Sequence, residues 1–337
     1  MSLLSWNCRG LGNPTAVRVL TDLVRAKRPK VLFLMETFVD KRKMELVRVQ
    51  NGYDSMFVVD AIGHRGGLAL LWMNSVEVEV TAFSSNFIDV QLALDVGKPY
   101  WRFTGFYGLP ERHRRRESWQ LLRSLATHSN LPWVIMGDFN DLLNQADKRG
   151  RLPHPEWLIT GFREAVNDCG LRELPFDGHQ FTWEWSRGTA NMVEEKLDRI
   201  FTIESWLSLY DGAQASSLIC PYSDHLPLML SPESLNRPGS RRRFCFDNMW
   251  LREDKCREIV AQSWERTRGM DVITRVECCG RDIWRWGRNY NKEFQRKIEK
   301  CKGRLAYLRN RHDSESMMEY PRVEKELLFL LEQQHIF

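Results

Sequence analysis

The sequence predicts an α/β fold: two packed β-sheets flanked by helices, a two-sheet β-sandwich, followed by a helical extension. Three observations carry that expectation. Short apolar runs recur through the first 232 residues, and many succeed one another with no helical stretch between them. That pattern favours largely antiparallel pairing in two sheets. Amphipathic stretches separate the other runs and supply helices for the outer faces. Near Ser231–Ser240, Pro232, Pro238 and Gly239 interrupt the pattern, and beyond Arg241-Arg242-Arg243 the character changes to helix.

In chain order, Leu3–Trp6 reads as a strand, and a helix comes next from about Thr15 to Ala26, with Pro14 suited to its first turn. Val31–Met35 is a continuous apolar run, as expected of a strand buried on both faces. Lys41–Val49 reads as helix. The stretches Met56–Val59, Leu68–Trp72, Val76–Phe83, Ile88–Leu94 and Arg102–Tyr107 read as successive strands. Glu117–Thr127 is a helix, Trp133–Met136 a buried strand and Pro155–Asn167 a helix. Phe181–Trp185, Val193–Phe201 and Gly212–Ile219 complete the strands. In the extension Phe294, Ile298, Cys301, Leu305 and Leu308 form a stripe at helical spacing, which suits a packing face. Leu327–Leu331 is an apolar cluster with no obvious partner in the sequence. Two domains are expected, 1–232 and 233–337.

Composition limits the function classes. An apolar share of 43% in 337 residues implies a substantial core. No run of about 18 apolar residues and no charged-then-apolar leader occurs, so no membrane contact is expected. Eight cysteines without regular spacing suit a reducing compartment and give no zinc pattern. The net charge of +5 is uneven: residues 1–232 hold 26 Lys+Arg against 27 Asp+Glu, and residues 233–337 hold 23 against 17. The basic excess of the extension suits a nucleic-acid contact, or simply a solvated helix face.

Five polar motifs sit at the ends of strand-like runs: Ser5-Trp6-Asn7, Met35-Glu36-Thr37, Gly137-Asp138-Phe139-Asn140, Leu197-Asp198-Arg199 and Ser223-Asp224-His225. Together they supply the oxygens for one hard divalent cation and the groups to activate a water against a phosphodiester. Each alone has a plainer reading. Glu36 fits a strand-end turn, Asp138 an Asx-turn and Asp224-His225 a solvated loop. If alternation continues past Trp133–Met136, Asp138 and Asn140 face the same way while Phe139 packs inward. Asp138 is then placed to orient or deprotonate water, with Asn140 beside it. Adjacent residues of an extended segment face opposite ways, so Asp224 and His225 should find separate partners. Asp198 is the candidate to orient His225, whose imidazole can stabilise charge on a phosphate.

As an ordered set, W-N, E-T, G-D-x-N, L-D and S-D-H resemble the endonuclease/exonuclease/phosphatase superfamily, over roughly residues 1–232. Trp6-Asn7-Cys8-Arg9-Gly10-Leu11-Gly12 and Phe106-Tyr107-Gly108 are most similar to endonuclease domains of plant non-LTR retrotransposons. The stretch Arg243–Trp250 is similar to the segment downstream of those domains, and no Y-x-D-D motif of a reverse transcriptase is present. The resemblance implies a deoxyribonuclease I-like fold and nicking of DNA. It implies Mg²⁺, with Mn²⁺ as the alternative, held by Asn7 and Glu36 with Asp224 close by. It also implies Tyr107 on the phosphate, Asp138 on the attacking water with Asn140 positioning it, and Asp198 paired with His225. Such a protein would act inside the cell, in the nucleus, although the chain carries no targeting signal. The apurinic enzymes of the superfamily have an acidic residue two places after the motif Asn; here that position is Arg9, which argues against abasic-site specificity. Two other functions fit the sequence, a catalytically silent remnant that only binds nucleic acid and a phosphatase of the same superfamily.

Overall fold

The computed structural model describes residues 2–337 except 62, 64–65, 94–98, 233–249, 251–252 and 335–337, and for 288, 289, 291 and 334 the backbone alone. Arg241-Arg242-Arg243 and the stretch from Arg243 up to Trp250 therefore lie outside the described residues, as does Leu94. The chain divides into two compact units. One comprises Met1–Leu235 together with Arg309–Met318, and the other Asn236–Leu308 together with Glu319–Phe337.

The first unit is the expected two-sheet α/β sandwich. Its elements begin β1 (Leu3–Asn7), α1 (Pro14–Lys27), β2 (Val31–Met35), α2 (Lys41–Asn51), β3 (Ser55–Val59), β4 (Leu68–Trp72), β5 (Glu77–Ser84), β6 (Phe87–Ala93) and β7 (Trp101–Tyr107). They continue with α3 (Arg115–Ala126), β8 (Trp133–Asp138), β9 (Lys148–Arg149), α4 (Glu156–Asp168), β10 (Arg172–Glu173), β11 (Trp183–Trp185), β12 (Val193–Glu195), β13 (Asp198–Thr202), α5 (Glu204–Leu209), β14 (Gln214–Ser217) and β15 (Leu228–Ser231). One sheet runs β14-β15-β1-β2-β4-β3 and the other β10-β13-β8-β7-β6-β5. The pairs β1–β2 and β7–β8 are parallel, and every other pair is antiparallel.

Hydrophobic burial explains the layering. Phe33, Met35 and Leu70 of one sheet interdigitate with Val90, Phe103, Val134 and Met136 of the other in one buried cluster. The far face of the second sheet offers Phe106, Ile135 and Phe201 to Trp119, Leu122, Leu158 and Phe162 of α3 and α4. Local signals place the helices: Asn13 accepts a hydrogen bond from Thr15 N ahead of Pro14, and Asp40 caps α2 through Lys43 N.

Two expectations need correction. Val193–Phe201 is not one strand. It breaks at Lys196-Leu197 into β12, which pairs with β11 and β9 in a small third sheet, and β13, which pairs with β8. Lys196 N donates to Asp147 O, while Leu197 N and Asp198 N both donate to Thr182 Oγ1, so tertiary bonds replace the ladder at the break. Phe181 and Thr182 accordingly precede β11 rather than forming part of it.

The second unit is helical, with α6 (Asp254–Arg266) and most of α7 (Val272–Arg309) and α8 (Ser314–Gln334). Ile298, Leu305, Leu327 and Leu331 are buried, and Trp250 packs with Cys256, Cys279 and Ile283. Among the described residues no helix is long and apolar enough to cross a membrane.

Candidate active site

Strand register gathers the motifs at one end of the sandwich. Asn7 ends β1 beside Met35 of parallel β2, so Glu36 emerges next to it. Tyr107 ends β7 beside Asp138 of parallel β8, and Asp198 opens β13 directly opposite Asp138. The 223–225 turn leads into β15, which pairs with β1. Gly137 allows the approach of β8 to β7. It has φ +152°, and a Cβ there would lie 1.9 Å from Phe106 O. Between the sheets, Asp138 N donates to Met35 Sδ at 3.3 Å.

Asn7 is fully buried, and its Nδ2 donates to both Glu36 Oε1 and Asp138 Oδ2 at 3.0 Å. Tyr107 Oη donates to Glu36 Oε1 at 2.9 Å. Burial, reinforced by the Glu36 and Asp138 charges, raises the Tyr107 pKa far above its ordinary value, so the phenol stays a donor. His225 Nδ1 lies 2.8 Å from Asp198 Oδ2, and its Nε2 lies 3.8 Å from Asp138 Oδ2. Burial alone would discharge His225, but the facing Asp198 and Asp138 carboxylates override it and raise its pKa. Burial also raises Asp138, a shift that the His225 charge and the Asn7 bond only partly offset.

Asp224 and His225 do find separate partners. Asp224 Oδ2 accepts from Arg9 Nη1 at 2.8 Å and from Trp183 Nε1 at 2.9 Å. Arg9 Nε also lies 3.8 Å from Glu36 Oε2. Ser223 Oγ donates to Asn7 O, tying this turn to the end of β1. Asn140 departs from the expected alternation. It adopts φ +55°, its backbone N–H donates to Asp138 Oδ1 at 2.9 Å, and its side chain donates to Gly108 O at 3.0 Å. The Asx-turn and the site are therefore the same feature, and Asn140 holds Asp138 through its backbone while Phe139 packs inward as expected.

The structure thus brings together all eight residues singled out in the sequence: Asn7, Glu36, Tyr107, Asp138, Asn140, Asp198, Asp224 and His225. The sequence reading missed Trp183 as a partner of Asp224, and Thr182, whose hydroxyl accepts from Asp198 N. No local pattern marks either. Arg9 stood in a motif without an assigned contact.

Oxygens fit for a hard cation are present. Asn7 Oδ1 and Asp224 Oδ1 are buried with no hydrogen-bond partner, which is costly unless something else binds them. Asp138, Asp198 and His225 also offer ligand atoms within 4.8 Å of one another. His225 and Asp198 already bond each other, and both Asp138 oxygens accept from Asn7 and Asn140, so the unpartnered oxygens of Asn7 and Asp224 are the better cation donors.

No curated protein sequence matches this chain. Residues 4–225 match the endonuclease/exonuclease/phosphatase family. Among solved structures, the chain is similar to the endonuclease domain of TRAS1, a telomere-specific non-LTR retrotransposon, with TM-score 0.52 and 14% identity over 70% of this chain and 99% of that one. It is similar to an AP endonuclease from Archaeoglobus fulgidus, with TM-score 0.54 and 15% identity over 68% and 98%. A 3′–5′ exonuclease from Neisseria meningitidis gives TM-score 0.52 and 17% identity over 69% and 100%. At these identities the likeness is one of fold. The family match runs from β1 to the turn before β15 and takes in every site residue from Asn7 to His225, so the chain belongs to the endonuclease/exonuclease/phosphatase family of hydrolytic nucleases and phosphatases.

Proposed function

We propose that this chain hydrolyses a DNA phosphodiester with a divalent cation, Mg²⁺ or in its place Mn²⁺, and nicks one strand. The observation that carries the reading is the buried Asp198–His225 pair beside Asp138, set against the unpartnered oxygens of Asn7 and Asp224. Asn7 Oδ1, Glu36 and Asp224 would hold the cation, which when bound neutralises charge on the phosphate. Asp138, its pKa raised by burial, takes the proton of the attacking water. His225, kept protonated by Asp198, donates to a phosphate oxygen as charge builds there, while the single O–H of Tyr107 holds Glu36 Oε1 in place. Asn140 holds the Asp138 carboxylate in place.

DNA as the substrate is supported by the fold, whose solved neighbours include a retrotransposon endonuclease domain, an AP endonuclease and a 3′–5′ exonuclease, and by the basic extension. The test offers supercoiled plasmid, a phosphomonoester and a small activated phosphodiester to the full chain with Mg²⁺. Nicked plasmid with little monoester turnover supports the nuclease. Preferential monoester hydrolysis would make it a phosphatase, and plasmid binding without cleavage a silent remnant.

A further inference from the structure

The loop that carries Arg9 is built unusually. The parallel pairing of β1 and β2 continues past the strand ends through Cys8 N to Met35 O at 3.0 Å, Gly10 N to Glu36 O at 2.8 Å and Leu11 N to Thr37 O at 2.9 Å. Inside this paired segment Arg9 and Glu36 face each other, both left-handed, with φ +46° and +50°. L-residues with side chains avoid that region, so two of them opposite one another mark a conformation held for a purpose. The result puts the Arg9 guanidinium across two of the proposed metal-binding carboxylates, 2.8 Å from Asp224 Oδ2 and 3.8 Å from Glu36 Oε2. Its side chain is 45% exposed against 14% for Glu36 and 21% for Asp224, so it lies on their solvent side.

We propose that Arg9 is a resident cation that limits this site to a single divalent ion, an inference that rests on the metal reading above. Sites that bind two divalent ions hold them roughly 3.5–4 Å apart with carboxylates shared between them. Here the oxygens needed for sharing are engaged. Asp224 Oδ2 is taken by Arg9 and Trp183, and Glu36 Oε1 by Asn7 and Tyr107. What remains is Asp224 Oδ1, Asn7 Oδ1 and the Glu36 oxygen facing Arg9, a donor set for one ion. A guanidinium never loses its charge in a protein, so the restraint is permanent. One divalent ion already more than neutralises the Glu36–Asp224 pair when Arg9 is present, and a second would add uncompensated charge in a half-buried site.

Titration calorimetry with Mg²⁺, and Mn²⁺ counting by electron paramagnetic resonance, test this on the full chain without recourse to activity. Wild type should bind one ion. Arg9→Met should bind a second ion and hold the first about tenfold tighter or more, since a positive charge beside the ligands is gone. Arg9→Lys keeps a charge on a side chain of similar reach and should stay at one. Two ions in wild type, or an Arg9→Met protein with the wild-type count and affinity, would overturn the proposal while leaving the metal reading intact. No ion bound by wild type would overturn both. Should Arg9→Met fail to fold by circular dichroism, the wild-type and Arg9→Lys counts still decide, because a second ion in either contradicts the role.

Discussion

Replacing Asp198 by Asn probes the site without emptying it. Asn keeps the size and an acceptor oxygen for His225 Nδ1, now 2.8 Å from Asp198 Oδ2, but removes the charge. Both side chains are nearly buried, at 3% and 4% exposed, so solvent hardly screens the loss. Breaking a buried ion pair costs roughly 3–5 kcal/mol when one partner is left charged. With the hydrogen bond kept, about 1.5–3 kcal/mol is the expected part. Because the pair raises the His225 pKa, its stabilisation is fully present below the ordinary imidazole value and is lost as pH rises through the raised folded value. The stability gap between wild type and Asp198→Asn should therefore be widest in mild acid and close in alkali. In catalysis, a histidine that discharges at lower pH should bring the alkaline limb of the rate profile down with it. Turnover at neutral pH should fall roughly 10²–10⁴-fold, the range for a positioned acid or base. Urea unfolding across pH, the His225 ring titration by NMR and single-turnover plasmid nicking give the three readouts. An Asp198→Asn protein with wild-type rate and an unmoved His225 titration would refute the reasoning.

Four other changes to the chain have outcomes that follow from its structure and charge. Glu36→Gln should keep the fold, which circular dichroism checks, and lose divalent-cation binding and nicking together, since it keeps the shape and removes the charge that attracts the ion. Gly137→Ala should fail to accumulate as folded protein or should unfold far below wild type, because its Cβ would overlap Phe106 O. Glu194, 1% exposed, is held down at about 2 against its own burial by His179 and His312. Its stabilisation is therefore present above the ordinary carboxyl value and lost as pH falls toward 2, so Glu194→Gln should cost roughly 3 kcal/mol at neutral pH and almost nothing near pH 2 in a urea–pH series. A chain ending at Pro232 should melt several degrees lower, because the first unit then loses Asn310 and His312, which bond His179 and Glu194. The same truncation should bind DNA with a shallower salt slope if the basic extension contacts phosphate, and an unchanged slope rules that contact out.

The strands that the sequence reveals most faithfully are those buried on both faces. Val31–Met35, between Lys30 and Glu36, and Leu68–Trp72, after Gly67, are continuous apolar runs, and they form β2 and β4 at those bounds. Edge pieces such as β9 and β10 are two residues long and have no pattern to detect. The break between β12 and β13 is hidden because no Gly or Pro marks it in Val193–Phe201, while the bonds that end the ladder come from Thr182 and Asp147. The eight candidate residues were legible because each stands where a strand ends or begins, and parallel or antiparallel register brings those ends together. Their contacts were not. Nothing local shows that Asn140 turns left-handed, that Trp183 reaches Asp224, or that Arg9 meets an acid 215 positions away.

Single-turnover cleavage of supercoiled plasmid by the full chain, with Mg²⁺, with chelator, and with Mg²⁺ restored, tests the central claim most directly. The account predicts nicked circles with Mg²⁺, none with chelator and recovery on restoration, with Asp138→Asn slower by orders of magnitude under the same conditions. Cleavage that persists in chelator, or that Asp138→Asn leaves at the wild-type rate, would contradict it.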